Sequence, residues 1–160
     1  MIERHEKKYQ AKMLAPFAVL GICTDEDWLT EIDYLPLDAP LQEPDSPLAN
    51  EVCKQLAAYL LDPAFKFDLS LHINGTVHQR RVWQQIQVIP SGQTSSYAEI
   101  AQKIHSAPRA VGRACGANKI PIIIPCHRII AKNGGLGGFM NASEGNPLQI
   151  KRWLLKHESI

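Results

Sequence analysis

Apolar and polar positions change their period several times along this chain, and each change predicts an element. From Phe17 to Leu35, β-branched and aromatic residues flank the acidic cluster Asp25-Glu26-Asp27, a pattern that predicts strand, turn, strand in a hairpin. Prolines at 36, 40, 44 and 47 then rule out continuation of either element, so this stretch is expected to be a loop. Ser46-Pro47 has the form of an N-cap followed by a first-turn proline, and Leu48, Val52, Leu56 and Leu60 recur at helical spacing as far as Asp62-Pro63. Phe65, Phe67, Leu69, Leu71 and Ile73 alternate with Lys66, Asp68, Ser70 and His72, a period of two that predicts a half-buried strand ending at Gly75.

Beyond Gly75 the pattern is helical. Thr76-x-x-Gln79 has capping-box form and opens a helix with Val82, Trp83 and Ile86 on one side, broken by Pro90-Ser91-Gly92. Ser96-x-x-Glu99 is a second box, starting a short helix from Tyr97 to Ile104, and Pro108 starts another through Arg109-Ala110-Val111-Gly112-Arg113-Ala114-Cys115-Gly116-Ala117. Two short helices in quick succession, the second made of small residues and arginines, have the outline of a helix-turn-helix, although many αα corners bind nothing. A last helix starts at Asn146-Pro147 and runs to about His157. The predicted fold is α+β: a small N-terminal α+β domain, residues 1–73, packed on a mainly helical C-terminal domain, residues 74–160, that holds the helix-turn-helix.

Composition bounds the function. With 45% hydrophobic and 21% charged residues over 160 positions, the chain can bury a core and lacks the signature of disorder. No apolar run approaches a membrane span, and Met1 to Lys12 alternates charges where a signal peptide would be apolar, so the expected location is the cytoplasm. The net charge of +1 conceals an asymmetry: residues 1–72 carry 6 Lys+Arg against 13 Asp+Glu, and residues 73–160 carry 11 against 3. A basic C-terminal half fits a phosphate-binding surface; mutual attraction of two oppositely charged halves is the alternative.

The cysteines, Cys23, Cys53, Cys115 and Cys126, form no CxxC pair and no zinc-finger spacing, so neither disulfides nor a metal nor any other cofactor is expected. Cys23, Cys53 and Cys115 fit a strand and two helices as small packing residues. Cys126 differs: in Ile120 to Ala131, IPIIIPCHRIIA, an apolar run is interrupted once, by Cys126-His127-Arg128. Polar groups inside a buried run need a reason, and cationic neighbours in sequence are expected to lower the thiol pKa toward the reactive thiolate. The plainer reading makes Cys126 a small core residue, with His127 and Arg128 turned to solvent.

Ile124-Pro125-Cys126-His127-Arg128-Ile129, preceded by Val82-Trp83, Ser96-Tyr97, Arg109-Ala110-Val111-Gly112 and Asn118, resembles the O6-alkylguanine-DNA alkyltransferases, the methylated-DNA–protein-cysteine methyltransferases. The likeness is specific from Gly75 to Glu158. It implies direct-reversal repair of double-stranded DNA by a monomer: Cys126 takes the alkyl group from O6 of guanine, or alternatively O4 of thymine, and keeps it, so that each molecule acts once. His127 is then the general base, acting through a water and oriented by Glu158. Tyr97 donates toward the base, and Asn118 braces the turn before the cysteine strand. The resemblance assigns Arg109, Ala110, Gly112, Arg113, Ala114 and Ser96 to DNA, with Arg109 filling the stack vacated by a flipped base. It assigns Tyr97, Cys126, Ile129, Met140 and Lys151 to the substrate.

The chain departs from the family pattern at Lys119, where proline is usual, at Phe139, where tyrosine is usual, and by an insertion from Asn141 to Asn146. A zinc site found in some relatives is not expected, because Thr30 stands where a histidine would bind. Two rivals remain: a Cys-His hydrolase, and a non-catalytic module that only binds alkyl lesions, a kind of relative that lacks the cysteine.

Overall fold

The computed structural model describes residues 7–131, 135 and 146–159. Three antiparallel strands form a meander in the order β1-β2-β3: β1 (Ala11–Leu14), β2 (Val19–Asp25) and β3 (Trp28–Leu35). The predicted hairpin is β2 and β3. Its turn holds Glu26 at a φ of 52°, and a bulge at Cys23/Thr24 adjusts the register. β1 lies outside the predicted elements because Ala11-Lys12-Met13-Leu14 has no alternation to betray it. Main-chain pairing with β2 and a bridge from Lys12 to Gln42 hold it in place.

Helix α1 (Pro47–Leu61) starts as its sequence demands, with the Ser46 hydroxyl accepting the Ala49 N–H, and it lays Ala49, Val52, Leu56 and Tyr59 on the sheet. The segment 65–73 differs from the expected strand. Burial does alternate along it, residue by residue, but it forms no strand, and its ladder is a single parallel bridge between Leu29 and Leu71. Main-chain bonds of the segment run to Leu29 at Ser70 and His72, while at Asp68 a side chain stands in: Gln55 donates to the Asp68 carbonyl at 3.0 Å and accepts the Asp68 N–H at 2.9 Å. A period of two reports which side chains face the core; it does not report what the main chain bonds to.

The C-terminal half comprises α2 (Val77–Gln87), α3 (Tyr97–Lys103), α4 (Pro108–Gly116) and α5 (Asn146–Glu158). Two-residue strands β4 (Ser95–Ser96) and β5 (Ile129–Ile130) pair in parallel and join the start of α3 to the segment after Cys126. The Thr76/Gln79 capping box is complete, with both reciprocal bonds made. Trp83 on α2 donates its indole N–H to the Ala114 carbonyl at 2.9 Å, which fixes α4 against α2. Apolar burial is continuous between the halves: Leu20, Ile32, Leu56, Ile86, Ile100, Ile124 and Leu154 belong to one cluster. No helix among the described residues is long and apolar enough to cross a membrane.

Candidate active site and nucleic-acid face

The segment between α4 and Cys126 is shaped by Asn118. Its Nδ2 donates to the Ile124 carbonyl at 2.8 Å and to Cys126 Sγ at 3.3 Å, while Oδ1 accepts the Ile120 N–H at 2.9 Å. One side chain thus ties down three points of the loop, a use that suits an amide with both donors and an acceptor. The loop is tight enough to hold buried Ile122 at a φ of 75°, a conformation strained for a β-branched residue. The predicted cysteine strand is instead a 3-10 turn, Cys126–Arg128, closed by the Ile129 N–H on the Cys126 carbonyl. A turn aims successive side chains in different directions, so neighbours in sequence need not share surroundings.

Cys126, His127 and Arg128 are all buried, which excludes the reading that His127 and Arg128 point to solvent. Arg128 grips the Glu158 carboxylate in two places, Nε to Oε1 at 2.8 Å and Nη2 to Oε2 at 3.0 Å, and donates from Nη1 to the Ile89 carbonyl at 2.7 Å. His127 Nε2 lies 2.8 Å from Glu158 Oε2. Bonds from His127 and Arg128 hold the Glu158 carboxyl far below the usual carboxylate range against the opposing effect of its burial. Because an ionised carboxylate only accepts, His127 must donate from Nε2. Burial lowers the pKa of His127, with Glu158 opposing, so the ring is neutral near pH 7 and its Nδ1 carries the lone pair. That Nδ1 is buried and has no hydrogen-bond partner among the described residues.

The thiol departs from its expected state. A hydrogen bond with Cys115 and its own burial push the Cys126 thiol well above the ordinary cysteine range, while the Asn118 amide and the Lys151 ammonium pull the other way. The expectation of a lowered pKa fails because the charge of Arg128 is spent on Glu158 and His127 is neutral. Lys151, fully buried, donates to the Ile129 carbonyl at 2.7 Å and sits 5.8 Å from the centroid of the Tyr97 ring. Burial lowers its pKa to about 8. Ile129 is buried, with both its N–H and its carbonyl engaged inside the protein.

On α4, Arg109 and Arg113 are exposed one turn apart on the same side. Ala110 and Gly112 are half-buried, and a methyl group on Gly112 would meet the Tyr97 ring at an ordinary 3.8 Å. Two residues expected at the DNA surface are core residues instead. Ala114 is buried and lies where α4 meets Trp83 of α2, so its small size serves helix packing. Ser96 is also buried, and its hydroxyl accepts the Glu99 N–H at 3.0 Å to cap α3. Met140 and Phe139 lie outside the described residues, as does the inserted stretch 141–145. Among the described residues no three His, Cys, Asp or Glu side chains cluster to hold a metal ion.

Sequence reasoning missed two members of the site. Tyr59 of α1 donates its hydroxyl to Glu158 Oε2 at 2.6 Å, and Cys115 of α4 acts to raise the pKa of the thiol. Tyr59 occupies a regular apolar position of an amphipathic helix, and Cys115 has the appearance of a packing residue; neither carries a local signal of its partner.

A buried cysteine in one turn with a histidine that is held on a carboxylate, in a fold that also carries a helix-turn-helix with exposed arginines, defines a class of thiol-nucleophile proteins on a nucleic-acid-binding scaffold. Residues 77–160 match the family described as 6-O-methylguanine DNA methyltransferase, DNA binding domain. A methylated-DNA–protein-cysteine methyltransferase of Methanosarcina acetivorans is 37% identical over 94% of this chain and 97% of its own length. The constitutive one of Bacillus subtilis is 37% identical over 86% of this chain and 80% of its own length. The crystal structure of Mycobacterium tuberculosis OGT in complex with DNA superposes with a TM-score of 0.79 at 35% identity, covering 92% of this chain and 91% of that one. The chain belongs to the methylated-DNA–protein-cysteine methyltransferase family.

Proposed function

We propose that this protein repairs DNA by direct reversal, transferring the alkyl group, typically methyl, from O6 of guanine to Cys126 in a single turnover. The observation that carries the reading is a buried cysteine that shares one turn with a buried histidine, whose Nε2 is fixed on a carboxylate and whose Nδ1 has no hydrogen-bond partner among the described residues. His127 Nδ1 takes the thiol proton, through an intervening water, as sulfur attacks. The S–C bond forms as the C–O6 bond breaks, and the electron pair leaves on the guanine, which takes up a proton. The product thioether has no leaving group at hand, so the protein is consumed. A resting thiol suits this chemistry, because deprotonation coupled to attack keeps the sulfur inert until a substrate arrives.

Tyr97 and Lys151 serve the same event, Tyr97 by donating toward the departing base and Lys151 by placing positive charge near the sulfur. Asn118 holds the cysteine turn and donates to Sγ. Double-stranded DNA is the partner. Arg109 and Arg113 meet it, with Ala110 and Gly112 allowing close approach, and Arg109 fills the space of the extruded base at an unstacking cost of a few kcal/mol. We assign residues 1–73 to a supporting α+β domain and residues 74–160 to the DNA-binding and acceptor domain, acting as a monomer in the cytoplasm. All four cysteines are free, in keeping with a reducing compartment. Intact mass after incubation with an O6-methylguanine duplex tests the reading. One added methyl is expected, absent in Cys126→Ala; unchanged mass in the folded wild-type protein excludes it.

A further inference from the structure

Tyr59 is buried near the end of α1 and reaches Glu158 across 99 positions of sequence. It meets the end of α5 at three points. Its hydroxyl donates to Glu158 Oε2 at 2.6 Å, its carbonyl accepts from His157 Nε2 at 2.8 Å, and its ring meets the His157 ring edge-on at 5.2 Å. Glu158 Oε2 is also the oxygen that accepts from His127, so tyrosine and histidine compete for the same negative charge.

Resting on the reading of His127 as proton acceptor, we propose that Tyr59 is a positioning residue for alkyl transfer, its hydroxyl setting how much of the Glu158 charge reaches His127. The α+β half is then part of the reaction machinery as well as a support. A phenylalanine would fill the same space, so packing alone does not call for the hydroxyl. The charged and titratable groups around His127 are Glu158 and Lys151 from α5, Arg128 from its own turn, and, one step removed through Glu158, Tyr59 from α1. Tyr34 from β3 faces Cys126 and Tyr59. Removing Glu158 or Arg128 strands a buried charge. Removing the Tyr59 hydroxyl leaves every formal charge in place and changes only how the carboxylate is shared.

The sign follows from the competition. Without the Tyr59 donor, Oε2 offers more charge to His127, the imidazolium is favoured, and the base is lost at a higher pH. In Tyr59→Phe, the acid limb of the single-turnover rate of methyl transfer from an O6-methylguanine duplex should move up by about half a pH unit to one unit. The loss of rate should therefore be confined to the acid limb and vanish on the plateau above it, and the ¹⁵N resonance of His127 Nδ1 should titrate with the same displacement. Site-specific 3-fluorotyrosine at position 59, a stronger donor of nearly the same shape, should move both readings the opposite way. It carries the test alone if Tyr59→Phe does not fold. An acid limb and a titration coincident with wild type, with only a lower melting temperature, overturn the proposal. A wild-type protein that leaves methylated DNA unchanged overturns instead the repair reading on which it rests.

Discussion

Asn118 donates to the sulfur of Cys126 at 3.3 Å while its other contacts pin the loop that carries the sulfur. Activation and placement of the nucleophile therefore depend on one amide. In Asn118→Ala the sulfur loses a donor and the main-chain groups of two buried residues, Ile120 and Ile124, lose partners. Methyl transfer at pH 7.5 should slow by on the order of tenfold or more, with partial recovery at high pH, and stability should fall by about 1–3 kcal/mol. Stopped-time transfer assays across pH, beside urea unfolding, check both. An unchanged rate would mean that the amide only braces the loop.

Cys115 acts on the same sulfur in the opposite sense. Its hydrogen bond raises the Cys126 pKa, so Cys115→Ala should shift the rate–pH curve to lower pH and speed methyl transfer near neutrality. Truncation of a half-buried side chain to alanine should cost stability less than about 1 kcal/mol. Iodoacetamide labelling of Cys126 as a function of pH gives an independent reading of the thiol.

The Glu158 cluster makes stability depend on pH in a defined direction. The carboxyl pKa is lowered in the folded state, so its contribution is complete above the unfolded value of about 4.3 and is lost as pH falls below it. His127 is buried neutral and adds an earlier loss, since the unfolded chain gains its proton first as pH drops through about 6.5. Glu158→Gln leaves Arg128 without its counter-ion and should cost about 3–5 kcal/mol at pH 7. That deficit should narrow below about pH 4. Chemical denaturation of both proteins from pH 3 to 8 measures it; a constant difference would contradict the assignment.

Much of this site was legible in the chain, and the reasons for the rest are specific. The capping box at Thr76, the N-cap at Ser96, the proline starts of α1 and α4, and the polar break at Cys126-His127-Arg128 are local signals, and local chemistry fixes them; the second box lacks its reciprocal bond, because Glu99 accepts from Ser95 instead. The bond from Tyr59 to Glu158 is long-range, and nothing beside either residue announces it. The alternation from 65 to 73 gave the half-buried face, yet no ladder forms there, only one bridge to Leu29 and the Gln55 side chain bonded to Asp68. Ala114 and Ser96 lie within DNA-binding motifs but serve α4 packing and the α3 cap. Adjacency to His127 and Arg128 suggested a lowered thiol pKa, whereas the fold turns the Arg128 charge onto Glu158.

The exposed arginines of α4 separate binding from chemistry. Arg109→Ala and Arg113→Ala should each weaken DNA binding and reduce the dependence of log affinity on log salt by about one where a phosphate contact is lost. Reaction with a free alkylguanine base should stay within about twofold of wild type, because neither side chain lies in the Cys126 turn. Fluorescence anisotropy at several salt concentrations checks the first part, and loss of the free-base reaction would contradict the division of labour.

A self-consuming acceptor takes up a countable number of methyl groups. When a fixed amount of protein is titrated to completion with a duplex carrying isotope-labelled O6-methylguanine, label in the protein should plateau at one methyl per molecule. Peptide mapping should then find all of it as S-methylcysteine at position 126. Label elsewhere, or restored guanine accumulating beyond the amount of protein, would contradict a self-consuming Cys126 acceptor.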